Sequence, residues 1–124
     1  MVTRICLVDD EQEILANLKL EICEQQEQWE VLTYHSGLDA MKEVMKGKVS
    51  LVVTDIAMPD MDGYELYRRI RDYDPEIPVI MITGFGYDPN HVLVRSRQDG
   101  LQDILFKPFE TDKLVALIQK RLKH

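Results

Sequence analysis

The chain has 124 residues, of which 45% are hydrophobic and 30% charged, and its formal net charge is −7. This length fits one domain around one buried core, which predicts a single domain over residues 1–124. The negative charge argues against direct binding to nucleic acid, which depends on clustered Lys and Arg side chains, and no apolar run approaches the roughly 18 residues of a transmembrane helix.

The start of the chain and its cysteines indicate a compartment. Met1-Val2-Thr3-Arg4 leads into an apolar strand without the apolar segment of a secretion signal, which predicts a cytoplasmic protein with no membrane contact. Cys6 falls in a predicted strand and Cys23 on a predicted helix. Such positions favour small apolar packing over a metal pair or a disulfide, so both thiols are expected to be reduced.

Apolar runs of strand type alternate along the chain with segments of helical period. This alternation predicts an α/β fold with a parallel sheet covered on both faces. The predicted strands centre on Ile5 to Val8, Val31 to Tyr34, Leu51 to Thr54, Val79 to Thr83 and Asp103 to Phe106. The second run is the most polar, so we place it at an edge of the sheet.

Four segments carry apolar residues at helical spacing, which predicts one buried face on each. These faces are Ile14, Leu15, Leu18 and Ile22; Leu38, Met41, Val44 and Met45; Leu66, Ile70 and Tyr73; and Leu114, Leu117 and Ile118. A further helical segment, between residues 90 and 98, has a thin apolar stripe and contains the poor helix formers Val92 and Val94. We expect it to be the most mobile element.

Carboxylates stand at the ends of two predicted strands. Asp9 and Asp10 follow the first strand, and Asp55 follows the third. Because the carboxyl ends of parallel strands meet at the edge where open α/β sheets bind ligands, the three are expected to converge. Three negative charges at close range repel one another unless a cation lies between them. The pattern therefore predicts a divalent-metal and phosphoryl site.

Two further polar residues, Thr83 and Lys107, end the fourth predicted strand and follow the fifth. These two residues and the aspartates also have ordinary structural explanations. Taken alone, Asp9 and Asp10 would be capping residues of the first helix, Thr83 a strand residue and Lys107 a surface lysine. In the segment after Asp55, the remaining acidic residues, Asp60 and Asp62, are predicted turn and capping residues. Gly63 is predicted to allow a tight turn or a close approach, and Met58 and Met61 to pack around the loop.

The full set is more informative than its parts. Four groups of residues each lie at the carboxyl end of a predicted strand: Asp9-Asp10, Asp55 with Met58-Pro59-Asp60-Met61-Asp62-Gly63, Thr83, and Lys107-Pro108. Together, and over essentially the whole chain, they resemble the receiver domain of two-component response regulators. The resemblance implies a flavodoxin-like, doubly wound sheet of five parallel strands in the order 2-1-3-4-5, with five helices. Pro108 after Lys107 resembles the cis peptide of that family.

The resemblance also implies a function. Asp55 would accept a phosphoryl group from a sensor histidine kinase or a histidine phosphotransfer protein, and the modified domain would switch a surface that contacts a downstream protein or a fused output domain. Such a domain is a phospho-acceptor rather than an enzyme acting on a separate substrate. We expect the output surface to comprise the segment near residues 90 to 98, the fifth strand and the last helix.

The expected site residues follow from the same match. Mg²⁺ would be held by Asp10, Asp55 and the backbone carbonyl of Ala57, with Asp9 acting through a water molecule. Lys107 would pair with Asp55 at rest and with a phosphoryl oxygen afterwards. The Thr83 hydroxyl would donate to another phosphoryl oxygen.

Two other functions are disfavoured because the chain lacks residues that they require. A haloacid dehalogenase type phosphatase needs a second aspartate two positions after the nucleophile, where this chain has Ala57. A dinucleotide-binding enzyme needs a glycine-rich turn after the first strand, where Asp9 and Asp10 stand. The alternative that stays open is a pseudo-receiver, which acts by protein contact without phosphorylation.

The chain departs from the family pattern at one position that matters for switching. Receivers usually carry Tyr or Phe three residues before the lysine, and this chain has Ile104 there. We therefore expect the glycine-containing loop of residues 84 to 89 to reorder on activation instead of an aromatic ring at position 104.

Overall fold

The structure is a computed structural model that describes residues 2–84 and 103–123. The strands are β1 Thr3–Val8, β2 Trp29–Tyr34, β3 Leu51–Asp55, β4 Val79–Thr83 and β5 Ile104–Phe106. The helices of the described residues are α1 Gln12–Gln25, α2 Gly37–Val44, α3 Gly63–Tyr73 and α4 Thr111–Leu122. The helix predicted near residues 90 to 98 and the loop predicted from 85 to 89 lie outside the described residues.

The five strands are all parallel, in the order β2-β1-β3-β4-β5. This confirms the predicted flavodoxin-like sheet, including the edge position of the polar strand β2. Side chains of β1 alternate between the two faces: Ile5 and Leu7 belong to the core beneath α1 and α4, and Cys6 and Val8 to the core beneath α2 and α3. Since both faces are covered, the inner strands are apolar on both sides, which accounts for their continuous apolar runs.

One helical face was predicted wrongly. The buried residues of α2 are Gly37, Ala40, Met41 and Val44, a stripe with spacings of three and four. Leu38 and Met45 are seven residues apart on the neighbouring face and are 48% and 59% exposed. Tyr73, at the end of α3, is also exposed, although its hydroxyl donates to the carbonyl of Met45 at 3.1 Å. A short helix on one face of a sheet buries a single stripe, so apolar residues beside that stripe remain in solvent.

The strand register brings the predicted site residues to one edge. The aligned pairs at this end of the sheet are Val8 with Thr54, Asp55 with Ile82, and Thr83 with Phe106. The residues that follow β1 and β5 are Asp9 and Lys107. Asp9, Asp55, Thr83 and Lys107 therefore come from four adjacent strands and lie at the same edge.

Cys6 is buried in β1 and Cys23 is partly buried on α1, and both are free thiols, as predicted. Burial, reinforced by the charge of Glu43, raises the pKa of the Cys6 thiol to about 12. Within residues 2–84 and 103–123, none of the helices has both the length and the apolar character needed to cross a lipid bilayer.

Candidate metal and phosphoryl site

The carboxylates of Asp9, Asp10 and Asp55 converge as predicted. One carboxylate oxygen from each lies within 4.8 Å of the others. Asp9 and Asp55 are almost fully buried, at 2% and 5% exposure, whereas Asp10 faces solvent. The Asp9 N–H donates to the carbonyl of Tyr34 at 3.1 Å, which ties the end of β1 to the end of β2.

Capping of the first helix was the ordinary explanation for Asp9 in the sequence, and Asp9 does not cap that helix. Its Oδ1 accepts a hydrogen bond from the N–H of Glu11 at 2.9 Å, within the turn before α1. Glu11 is the N-cap residue, and it makes no side-chain capping hydrogen bond. The other carboxylate oxygen of Asp9 is directed to the site instead.

Lys107 is the cation of this cluster. Its Nζ donates to Oδ2 of Asp9 at 3.0 Å and to Oδ2 of Asp55 at 3.3 Å. The pairing with Asp55 was predicted, but the shorter contact to Asp9 was not. The Lys107 N–H donates to the carbonyl of Thr83 at 2.7 Å, which ties the residue after β5 to the end of β4. The Lys107–Pro108 peptide bond is cis, as predicted.

The electrostatics of the cluster favour a bound cation. Burial raises the pKa of Asp55 above its ordinary value of 3.8, the negative charge of Asp9 raises it further, and Lys107 opposes both effects only in part. For Lys107, burial alone would lower the pKa, but the hydrogen bond to Asp9 and the two carboxylate charges outweigh burial and raise it above 10.5. Ionised Asp55 is therefore destabilised by its surroundings.

Thr83 presents a buried hydroxyl at the end of β4. The residue is 2% exposed, and its Oγ1 has no hydrogen-bond partner among the described residues. Leaving a buried hydroxyl unpaired costs about 1 to 3 kcal/mol. Thr83 is one residue beyond Ile82, which is aligned with Asp55 on the adjacent strand. Thr83 therefore lies at the same edge of the sheet as Asp55.

Residues 56–62, called here the site loop, connect Asp55 to α3. The Gly63 N–H donates to the carbonyl of Ile56 at 2.9 Å, which closes the loop at its base. Ala57 is exposed, and its N–H donates to Oδ1 of Asp55 at 3.4 Å. Met58 and Met61 are buried, which confirms that they pack around the loop.

The two other acidic residues of the site loop cap two different helices. Asp62 is the N-cap of α3, and its Oδ1 accepts from the N–H of Glu65 at 2.8 Å. Asp60 accepts hydrogen bonds from the Ser36 hydroxyl and from the first N–H groups of α2, and these bonds lower the pKa of Asp60 to about 2. Both were predicted as turn or capping residues, but the link from Asp60 to α2 was missed because the partners are 24 residues apart.

The donor set fits a hard divalent cation. It consists of carboxylate oxygens that carry three negative charges against the single positive charge of Lys107. Mg²⁺ prefers oxygen ligands, uses one or two carboxylates and keeps several waters. The exposed carboxylate of Asp10 leaves room for those waters on the solvent side.

At position 104 the structure shows a core residue. Ile104 opens β5, is partly buried and packs against the apolar cluster on the α2 and α3 side of the sheet. The loop predicted to reorder in place of an aromatic switch is described only at Gly84, so that prediction lies outside the described residues.

Comparison with known proteins agrees with this geometry. Residues 5–119 match the family model of the response regulator receiver domain. The chain is 34% identical over 119 residues to the uncharacterized transcriptional regulatory protein YkoG of Bacillus subtilis. The alignment covers 96% of this chain and 50% of YkoG. The chain spans half or less of the length of the first curated relatives that it matches.

Solved structures show the same likeness. A CheY-like response regulator receiver domain protein from Methanospirillum hungatei superposes with a TM-score of 0.88 at 29% identity, covering 99% of this chain and 95% of that one. The BeF3-activated receiver domain of DrrB gives a TM-score of 0.84 at 31% identity, with both chains covered completely.

Proposed function

The chain belongs to the family of response regulator receiver domains, and on that premise we propose that Asp55 accepts a phosphoryl group from a sensor histidine kinase or a histidine phosphotransfer protein. The observation that carries the proposal is the Lys107 ammonium between two buried carboxylates, at the same edge of the sheet as the Thr83 hydroxyl, which has no partner in the described residues. In this function the domain takes up one phosphoryl group per chain and does not turn over a separate substrate.

The transfer needs a nucleophile and donors for the phosphoryl oxygens. A carboxylate oxygen of Asp55 forms a bond to phosphorus while the P–N bond of the donor phosphohistidine breaks, and the electron pair leaves on the donor nitrogen. The product is an acyl phosphate on Asp55. In the proposed product Lys107, whose Nζ is 3.3 Å from Oδ2 of Asp55, donates to one phosphoryl oxygen, and the Thr83 hydroxyl donates to another.

We assign the divalent cation to the acidic cluster. Asp10, Asp55 and the backbone carbonyl of Ala57 would hold Mg²⁺ directly, with Asp9 acting through a water molecule. When bound, the ion supplies the positive charge that screens an anionic phosphoryl group from the carboxylates. Lys107 contacts Asp9 at 3.0 Å and Asp55 at 3.3 Å, so the assignment of Asp10 and Asp55 as the direct carboxylate ligands rests on the family pattern and not on these two distances.

A groove beside Lys107 offers a contact surface for the phosphoryl donor protein. It has a volume of about 330 Å³ and lies between α1 and the segment from Lys107 to Thr111. Ile14, Leu18 and Phe109 contribute apolar side chains to its lining. In our proposal a kinase or phosphotransfer protein in the cytoplasm docks at this groove, and a downstream protein or a fused output domain receives the switch.

The experiment that tests the acceptor uses a small phosphodonor such as acetyl phosphate with Mg²⁺. Intact mass should show the gain of one phosphoryl group, and peptide mapping should place it on Asp55. Asp55→Asn should gain none, while the control variant Asp62→Asn, at an exposed aspartate in the same loop, should still be modified on Asp55. Uptake by Asp55→Asn at the wild-type level would refute the assignment, and no uptake by the wild-type chain would favour the pseudo-receiver alternative.

Mg²⁺ should stabilise the domain through Asp10. Binding to the native state at ten times the dissociation constant raises the free energy of unfolding by about 1.4 kcal/mol, which for a domain of this size raises Tm by roughly 5 °C. Asp10→Ala should lose most of this gain. Glu13→Ala, which removes one exposed charge from the first turn of α1, is the matched control and should keep it. Thermal melts with and without Mg²⁺ measure the difference, and an equal gain in Asp10→Ala and wild type would count against the site.

A further inference from the structure

Asp60 joins the site loop to a helix that contributes no ligand to the site. Its Oδ2 accepts from the Ser36 hydroxyl at 2.6 Å and from the Leu38 N–H at 3.2 Å, and its Oδ1 from the Gly37 N–H at 3.4 Å. Ser36 is also the N-cap of α2, where its hydroxyl accepts from the Asp39 N–H at 3.4 Å. The Asp60 carboxylate therefore accepts hydrogen bonds from N–H groups in the first turn of α2 and links that turn to the loop that follows Asp55.

The adjacent residue strengthens this attachment. Met61 is 3% exposed, and a Cβ atom added to Gly37 would lie 3.1 Å from the Met61 Cβ and 3.2 Å from the Met61 carbonyl oxygen. The start of α2 is thus in tight backbone contact with the site loop. The loop has little freedom at this point, whereas Ala57, nearer to Asp55, is exposed.

The segment that precedes α2 also holds the other half of the site. The carbonyl of Tyr34, two residues before Ser36, accepts the N–H of Asp9 at 3.1 Å. Residues 34–38 consequently make hydrogen bonds both to the backbone of Asp9, in the acidic cluster, and to the side chain of Asp60, in the site loop.

We propose that Asp60, through Ser36 and the first turn of α2, is a positioning residue for the metal site, which sets Mg²⁺ affinity without contacting the ion. The inference rests on the proposed function, in which the Ala57 carbonyl is a metal ligand. Released from α2, the middle of the site loop gains conformational freedom, and the ion must then order it on binding. Affinity falls, while the geometry reached in the loaded state is unchanged.

Mg²⁺ titration calorimetry of four variants tests the proposal. Asp60→Ala should raise the dissociation constant about tenfold and Ser36→Ala about threefold. Removing the hydrogen-bond partner of a metal ligand lowers affinity roughly 10- to 100-fold, and Asp60 acts less directly, so its effect should lie at or below the low end of that range. Asp60→Asn keeps an acceptor oxygen and should recover most of the affinity. Asp62→Asn removes the same charge from the same loop but keeps an N-cap for α3, so it should bind as wild type.

Two further readouts separate positioning from general weakening of the fold. In phosphorylation by acetyl phosphate, Asp60→Ala should need more Mg²⁺ for half-maximal rate but reach the wild-type rate at saturation. Without metal, amide hydrogen exchange at Gly63, whose N–H closes the site loop, should be faster in Asp60→Ala and Ser36→Ala than in Asp62→Asn.

The outcomes distinguish this inference from the proposed function. If the wild-type chain binds Mg²⁺ and both Asp60→Ala and Ser36→Ala bind it equally well, the positioning role is wrong and the proposed function stands. An equal loss in Asp62→Asn would assign the effect to charge alone and would also overturn the role. If the wild-type chain binds no Mg²⁺, the metal part of the proposed function fails, and the inference fails with it. Should Asp60→Ala not fold, Ser36→Ala and Asp60→Asn decide the question.

Discussion

Replacing Gly63 by Ala should lower the free energy of unfolding by about 3 kcal/mol and Tm by roughly 12 °C, because it overpacks backbone against backbone. A Cβ atom at this position would strike the carbonyl oxygen of Asp55 and lie 3.0 Å from both the carbonyl carbon of Asp55 and the Cα of Ile56. These three nearest atoms all belong to the backbone, so the rotation of a side chain cannot relieve the clash. The end of β3 or the start of α3 must shift, so Mg²⁺ binding should weaken as well.

Gly84→Ala is the matched control for this effect. It makes the same chemical change at the same edge of the sheet, but there the new Cβ would lie 3.6 Å from Cδ of Lys107, an ordinary contact. Its stability should remain within about 0.5 kcal/mol of wild type. Urea or thermal unfolding of both variants measures the contrast. Equal losses, or a Gly63→Ala protein as stable as wild type, would mean that the close approach at Gly63 is not a constraint on the fold.

The parts of this structure that were predictable from sequence are those in which neighbouring residues decide the outcome. The inner strands were located because a sheet covered on both faces requires continuous apolar runs, and β2 was placed at the edge because its run is polar. Asp62 was predicted as a capping residue because its partner, the N–H of Glu65, is three residues away. The strand order came from the family resemblance, and it explains why Asp9 and Asp55 meet.

The parts that were missed depend on contacts between distant segments. No periodic pattern in the sequence links Asp60 to Ser36 or shows that Lys107 lies nearer to Asp9 than to Asp55. Met45 was wrongly predicted to be buried for the same reason, because the way α2 lies on the sheet decides which of its stripes is buried. Such contacts are set by tertiary packing, which overrides local pattern.

Lys107→Met should expose the repulsion that the lysine now offsets. It removes the ammonium that lies 3.0 Å from Asp9 and 3.3 Å from Asp55, and among the described residues it leaves these two buried carboxylates without a counter-charge. Breaking a fully buried ion pair costs 3 to 5 kcal/mol, and the partial exposure of this site reduces the expected loss to about 2 kcal/mol at neutral pH. Lys113→Met, an exposed lysine in the first turn of α4, should lose at most about 0.5 kcal/mol.

The pH dependence of this loss follows from the two pKa shifts. Lys107 has a pKa raised above 10.5 and is charged throughout the range from pH 8 to pH 4. Asp55 has a pKa raised above 3.8, so it takes up its proton at a higher pH when folded than when unfolded, and its ionisation costs stability as the pH rises. Removing Lys107 raises the cost of ionised Asp55 further. The difference between wild type and Lys107→Met should therefore be largest near pH 8 and shrink as the pH falls toward 4.

Mg²⁺ should partly replace the missing ammonium. Because the variant has a more negative cluster, its melting temperature should rise more with Mg²⁺ than that of wild type, whereas Lys113→Met should respond as wild type does. Denaturant unfolding across the pH range, with and without Mg²⁺, measures both effects. A loss in Lys107→Met that is constant from pH 8 to pH 4 and unchanged by Mg²⁺ would mean that Lys107 acts through packing of its aliphatic chain. The role of its charge among the carboxylates would then be excluded.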